Sequence, residues 1–237
     1  MSTGKVIKTK GIVLSEVNFS ESDKMLTILT PDLGRITCVA KGARKMQSPI
    51  LSASQIFAFS ELVLFRSKGD MYYINSAELI EAFYALRTDY DKLEAAMFCV
   101  KFVKQNVCEN QISVMMLKLL LNSIYLIATG EKPIDLVKNV FLLKAICILG
   151  YTPNFSSSDD DTAVSGYSMQ KGELVYRALE NLDKSLIHLS YDAVIAIRYI
   201  IQSDLKKVFS FQIREDVLNE IVFFNKIYLQ AVEVNTQ

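Results

Sequence analysis

A single histidine, His188, occurs in the 237 residues, so the chain has almost no side chain that ordinarily changes charge near neutral pH. The four cysteines, Cys38, Cys99, Cys108 and Cys147, lie far apart and form no C-x-x-C pair. That spacing argues against a zinc cluster and a disulfide framework alike, and fits buried free thiols in a reducing compartment. A phosphate-cradling glycine loop, a nucleophile elbow and an H-E-x-x-H pair are all missing. His188 stands between Ile187 and Leu189, where a structural role is expected, and Glu21 with Asp23 reads as a solvated turn rather than a catalytic carboxylate pair. The expectation is a protein that is not an enzyme. Long apolar runs are lacking too. Met115 to Ala128 and Val140 to Leu149 are interrupted by Lys118 and Lys144 and fall short of the roughly 20 apolar residues that a bilayer requires. The first residues place Lys5, Lys8 and Lys10 in a strand-like run without the apolar region of a signal peptide, so a cytoplasmic protein is expected.

What is present is a large apolar fraction, 51% of residues, enough for a sizeable core in one large domain or in a small domain plus a larger one. The 26 basic and 26 acidic residues cancel, but not locally. Lys5, Lys8, Lys10, Lys24, Arg35, Lys41, Arg44 and Lys45 face only Glu16, Glu21, Asp23 and Asp32 within residues 1–45, a local excess of +4 that the remainder balances. The densest part of that excess is Gly34-Arg-Ile-Thr-Cys-Val-Ala-Lys-Gly-Ala-Arg-Lys45. Ile36, Cys38 and Ala40 alternate with Thr37 and Val39, the period of two of a partly buried strand, and Gly42 then breaks the run among Lys41, Arg44 and Lys45. Converging cations of this kind suit phosphates, because they displace counterions from a polyanion. A basic turn at a solvated strand end is the plainer alternative.

Strand signals cover Val6 to Leu14, Lys24 to Thr30, Arg35 to Ala40, Ile56 to Phe65 and Met71 to Ser76. Five short strands in about eighty residues match an OB-fold, though periodicity alone leaves another small barrel open. After Ala77 the pattern turns helical. Thr88 to Asp91 predicts a helix start, with Leu93, Met97, Val100, Val103 and Val107 as a buried stripe. Ile112 to Thr129 predicts a second helix closed by Gly130; Pro133 opens a third with Ile134, Val137, Phe141, Ala145 and Ile148 inward. Ser190 caps a helix through Ile201, and Ile213, Val217, Ile221, Phe224 and Tyr228 mark the last. Tyr151 to Tyr176 has loop composition, with Ser156 to Asp161 too polar to order itself. Asp159, Asp160 and Asp161 lack the alternating ligand spacing of a calcium loop, so no metal is expected there.

Gly11-Ile-Val-Leu14, Glu21-Ser-Asp-Lys-Met-Leu-Thr-Ile-Leu-Thr30 and Pro31-Asp-Leu-Gly34, followed by the basic turn, resemble the start of the RecO family of bacterial recombination mediators. Ser60-Glu-Leu-Val-Leu-Phe65, Ala77-Glu-Leu-Ile80, Leu149-Gly-Tyr-Thr-Pro153, Ala196-Ile-Arg-Tyr-Ile200 and Val208-Phe-Ser-Phe211 continue the resemblance in the family's order. It implies an α+β protein: a five-stranded OB-fold barrel over residues 1–80 and an all-helical domain over 81–237 with a zinc-finger-like insert at 151–176. In many relatives four cysteines of that insert hold zinc; here it has none, so neither zinc nor any cofactor is expected. Phe155 and Tyr167 are expected to dock the insert's ends instead, with Gly150, Pro153 and Gly172 keeping the turns.

In function the resemblance implies a DNA repair and recombination mediator that binds single- and double-stranded DNA and anneals complementary strands. With RecR it would help RecA replace the single-strand-binding protein, near the nucleoid. Lys24, Arg35, Lys41, Arg44 and Lys45 match the family's basic positions and would hold phosphates without reading sequence. Lys8 and Lys10 extend the groove or protect an edge. Phe19, in the polar loop Asn18 to Asp23, is the candidate exposed ring for stacking a base. The acidic, hydrophobic tail of the single-strand-binding protein needs a cation for its carboxylate, with Lys118 and Lys144 as candidates; snorkelling at a bundle surface is the alternative for each. A helical adaptor whose barrel only docks protein is the competing class.

Overall fold

The computed structural model describes residues 5–67, 71–156, 163–176 and 185–235. Asp159, Asp160 and Asp161 lie outside the described residues. The chain forms two compact units, Met1–Ile134 and Asp135–Gln237.

In the first unit five strands, β1 (Lys5–Asn18), β2 (Lys24–Thr30), β3 (Gly34–Ala40), β4 (Phe59–Arg66) and β5 (Tyr72–Glu81), close in the order β1-β2-β3-β5-β4. Neighbours are antiparallel except β3 and β5, whose parallel pairs Cys38 with Tyr72 and Val39 with Tyr73 complete the closure. Period-two alternation drives this arrangement. Leu26 and Ile28, Ile36, Cys38 and Ala40, and Leu62 and Leu64 all point into one buried cluster with Val13 and Ile74. Burial there pushes the Cys38 thiol up to about 12. The long β1 serves two neighbours: Lys5 to Ile12 pair with β4, and Ile12 to Asn18 pair with β2 across a bulge between Val13 and Ser15.

The fourth strand starts three residues later than expected, because Gln55 to Ala58 form a turn in which the Phe57 amide donates to the Val13 carbonyl. The fifth continues past Ala77 to Glu81, pairing with the first half of β4. Glu78, Leu79 and Ile80 are all exposed on it, which removes the apolar alternation that would have marked a strand.

Two helices complete this unit. Asp89, not Thr88, caps α1 (Tyr90–Asn106), accepting from the Asp91 and Lys92 amides at 3.0 and 3.1 Å. Thr88 instead donates its hydroxyl to the Ala85 carbonyl. Of the expected stripe Val100, Val103 and Val107 are buried, whereas Leu93 is half-buried and Met97 is 40% exposed; Ala95, Ala96, Cys99 and Phe102 complete the buried face. Helix α2 (Val114–Thr129) starts two residues later than predicted and ends, as predicted, at left-handed Gly130. The α1–α2 connection zips onto the β2–β3 hairpin: the Asn110 amide donates to Leu33 O, Ser113 N to Pro31 O and Arg35 N to Cys108 O. Gly34 permits this approach, since a Cβ there would lie 2.5 Å from the Cys108 carbonyl oxygen.

The second unit holds α3 (Ile134–Ile148), a three-stranded antiparallel sheet of β6 (Val164–Ser168), β7 (Glu173–Tyr176) and β8 (Leu186–His188) in the order β7-β6-β8, then α4 (Tyr191–Gln202) and α5 (Glu215–Asn235). An all-helical domain with a loop over 151–176 was the expectation; the structure corrects it to helices plus a small sheet that reaches His188. The strands are three to five residues long, and Gly166 looks like a loop residue. It is required by packing, because a Cβ at Gly166 would meet the Ile187 carbonyl oxygen at 2.0 Å. Ser190 caps α4 as expected, accepting from the Ala193 amide. Val217, Ile221 and Phe224 form the buried side of α5. No helix among the described residues is long and apolar enough to cross a membrane.

Phe155 and Tyr167 stack at 5.1 Å between centroids, and both meet Phe224 edge-on at 5.4 Å. Tyr228 stacks on Phe224, and its hydroxyl donates to the Tyr151 carbonyl. The expected Phe155 and Tyr167 thus meet Phe224 and Tyr228, and the four rings fasten the segment after α3 to α5. Burial raises the Tyr167 phenol to about 12.

Candidate nucleic-acid interface

The basic turn follows β3 as a chain of tight turns, in which Ala43 N donates to Ala40 O, Lys45 N to Gly42 O and Ser48 N to Lys45 O. Only Ala43 is buried among Lys41 to Lys45, so the turn is pinned by one small apolar side chain while Lys41, Arg44 and Lys45 stay in water. The loop between β1 and β2 holds it from the side. Asp23 Oδ1 accepts from the Gly42 amide at 2.8 Å, Ser22 O from the Arg44 amide at 3.0 Å and Ser20 O from Arg44 Nη1 at 2.6 Å. The Gly42 amide holds the Asp23 carboxyl below its ordinary value, helped by the Ser22 and Ser20 hydroxyls and the charge of Lys41. Asp23 is thus an anchor for the turn. Its role could be suspected only from an acid in a loop at the start of a strand that pairs with the strand before the turn.

Lys41 also lies over the Tyr73 ring, 5.1 Å from its centroid, which adds a cation–π contact at the start of β5. Lys41, Gly42, Lys45, Met46, Gln47, Ser48 and Pro49 line an open cleft of about 570 Å³. Arg44 and its two lysine neighbours give this end of the sheet a concentrated positive charge, with the nearby Asp23 already engaged by the Gly42 amide.

The other candidate cations are distributed differently. Lys24 pairs across the sheet with Ala40 and so lies near the turn, but its ammonium is bound to the Glu16 carboxylate and its side chain is only 15% exposed. Arg35 stands at the opposite end of β3, six residues or about 20 Å from Lys41. Its Nε donates to the Val107 carbonyl at 2.9 Å. Lys8 and Lys10 line a separate groove with Glu61 and Glu78, where Lys10 Nζ sits 3.0 Å from Glu61. Phe19 is exposed, in the loop that clasps the basic turn.

In the helical segments Lys118 is exposed on α2. Lys144 is 8% exposed, and its ammonium donates to Ile201 O at 2.7 Å and Ser203 O at 2.6 Å, closing the C-terminal end of α4. Burial holds its pKa below the ordinary lysine value. His188 is exposed on β8. Among the described residues no three His, Cys, Asp or Glu side chains converge to hold a metal ion.

Comparison with known proteins places this arrangement in a family. The family model described as recombination protein O N terminal matches residues 1–83, and that for recombination protein O C terminal matches residues 87–231. The chain is similar to the DNA repair protein RecO of Acetivibrio thermocellus, with 36% identity over 94% of this chain and 90% of that protein. It is similar to the RecO of Caldicellulosiruptor bescii at 32% identity over 96% of this chain and 93% of that protein. The RecO of Staphylococcus epidermidis is 26% identical over 91% of this chain and 87% of its own length. Two family models covering successive parts of the chain, and relatives aligned over nearly all of it, show that the chain belongs to the RecO family.

Proposed function

We propose that this chain is a non-catalytic mediator of DNA repair and recombination that binds single- and double-stranded DNA through the basic end of an OB-fold barrel. The OB-fold reading is supported by five short strands in a closed sheet completed by a parallel β3–β5 pairing. The observation that carries DNA binding is the turn Lys41–Lys45, with its cations in water and its backbone clasped by Asp23 and Ser22. Such a surface holds phosphates in any sequence, which suits strand annealing. Lys41, Arg44 and Lys45 make the phosphate contacts; Lys24 and Arg35 chiefly position the strands around them.

Family membership supports the rest of the assignment. The protein works in the cytoplasm at the nucleoid, binds RecR, takes the acidic tail of the single-strand-binding protein and helps RecA displace that protein. Lys118 is the cation we assign to the tail's carboxylate, since Lys144 commits its ammonium to two backbone carbonyls. The sheet β7-β6-β8 stands as the zinc-free counterpart of the family's insert, fastened by rings instead of metal.

The test is binding of labelled single-stranded DNA across a salt series, with the unsubstituted protein and with Lys41→Ala/Arg44→Ala/Lys45→Ala. The triple variant is expected to bind more weakly whatever the sequence, and its salt slope to fall by about 0.7 for each phosphate it no longer neutralises. An unchanged slope in a folded variant removes the turn from the mechanism. Absence of salt-sensitive binding by the unsubstituted protein would favour an adaptor that docks only proteins.

A further inference from the structure

The loop carrying Phe19 and the turn carrying Met46 form one hydrogen-bonded unit. The Phe19 amide donates to Asp23 O at 3.1 Å, and residues 20–23 bind the turn through the Gly42 amide, the Arg44 amide and Arg44 Nη1. Two large apolar side chains of this unit stand in water, Phe19 at 58% and Met46 at 94% exposure. Neither contributes to a core. Met46 lines the same cleft as Lys41 and Lys45.

Apolar groups gain nothing from phosphates, and two of them on the same hydrogen-bonded unit as three cations suit a ligand that is anionic on one side and flat and apolar on the other. A nucleic-acid strand with unstacked bases has both faces, whereas in a duplex the base faces are covered by their neighbours. We propose that Phe19 and Met46 are base-contacting residues that give the basic turn its preference for unpaired strands. Phe19 stacks on a base, the polarizable Met46 thioether packs against a neighbouring one, and Lys41 and Lys45 hold the intervening backbone. The inference rests on the DNA-binding reading above. It assigns strand preference to two side chains that carry no charge.

The chain contains no tryptophan, so Phe19→Trp introduces a single indole at the proposed contact. Titration with oligothymidine should quench its emission, and a duplex of equal length should leave it nearly unchanged. In parallel, Phe19→Ala/Met46→Ala, shown folded by circular dichroism, should lose about tenfold or more in single-strand affinity, the scale of one missing base stack. Its duplex affinity should stay close to that of the unsubstituted protein, and Phe19→Trp should retain single-strand affinity. Equal losses on both DNAs, no loss on single strands, or an indole blind to a strand that does bind would overturn the inference and leave phosphate binding by the turn intact. An unsubstituted protein that binds neither DNA would overturn both.

Discussion

Asp23 Oδ1 accepts the Gly42 amide at 2.8 Å, so the residue that ends the β1–β2 loop fixes the turn that follows β3. Charge counting and geometry predict opposite effects here. Removing an acid from a basic surface should tighten DNA binding, yet removing this acid frees the turn that orders the cations. We expect geometry to win: Asp23→Ala binds DNA more weakly, while Asp23→Asn, which keeps an acceptor oxygen, binds nearly as the unsubstituted protein does. Tighter binding by Asp23→Ala would show that the clasp is dispensable. The pH dependence follows from the lowered Asp23 pKa. Stabilisation by the clasp is present above the unfolded-state value of 3.8 and is lost as pH falls through the lower folded value, so slow exchange of the Gly42 amide should persist through pH 3.8 and fail only as the pH drops past that lower value.

Arg35 and the turn cations should separate by assay. Arg35→Ala removes the Nε bond to Val107 O, which joins β3 to the end of α1. The expected cost is about 1–2 kcal/mol of stability, with a DNA salt slope close to that of the unsubstituted protein. A slope reduced as strongly as by Lys41→Ala would place Arg35 on the DNA.

Lys144 should behave as a structural residue. Lys144→Ala leaves the Ile201 and Ser203 carbonyls without their donor and opens a cavity beside α4, an expected loss of roughly 2–4 kcal/mol in denaturant unfolding. Binding of an acidic tail peptide should respond to Lys118→Glu and not to Lys144→Met. The reverse pattern would move the tail site to Lys144.

The aromatic cluster should make zinc unnecessary. Elemental analysis is expected to find no stoichiometric zinc, and chelator treatment to leave the melting temperature unchanged. Phe155→Ala should cost about 3–5 kcal/mol, because it removes a buried ring shared by Tyr167 and Phe224. Tyr167 adds an alkaline signature. Its phenol rises from 10.0 to about 12, so its contribution is full below pH 10 and is lost as pH rises towards 12. Tyr167→Phe should flatten the fall in melting temperature over that window, and bound zinc with a chelator-sensitive melt would contradict the whole account.

Local chemistry was enough to read several features from the residues alone. Ile36, Cys38 and Ala40 announce their strand because alternate burial is a property of the backbone's own period. Ser190, Gly130 and Pro133 mark helix ends because caps act within one turn of chain. The ordered motifs carried the family, and Phe155 with Tyr167 could be chosen because an insert without the family's cysteines either loses the metal's job or replaces it by packing, for which these rings are suited.

Long-range contacts decided the rest. Nothing near Lys144 in sequence says that Ile201 and Ser203 will present their carbonyls to it, and nothing near Lys24 says that Glu16 will claim its charge. Glu78, Leu79 and Ile80 became strand only because β4 was there to pair with them, and the short strands around Gly166 only because Ile187 packs against a residue without a side chain. A charge in the sequence is a quantity, whereas its availability to a ligand depends on which partner the fold brings first. Lys41, Arg44 and Lys45 remain exposed at the turn, whose backbone Asp23 and Ser22 hold from the side.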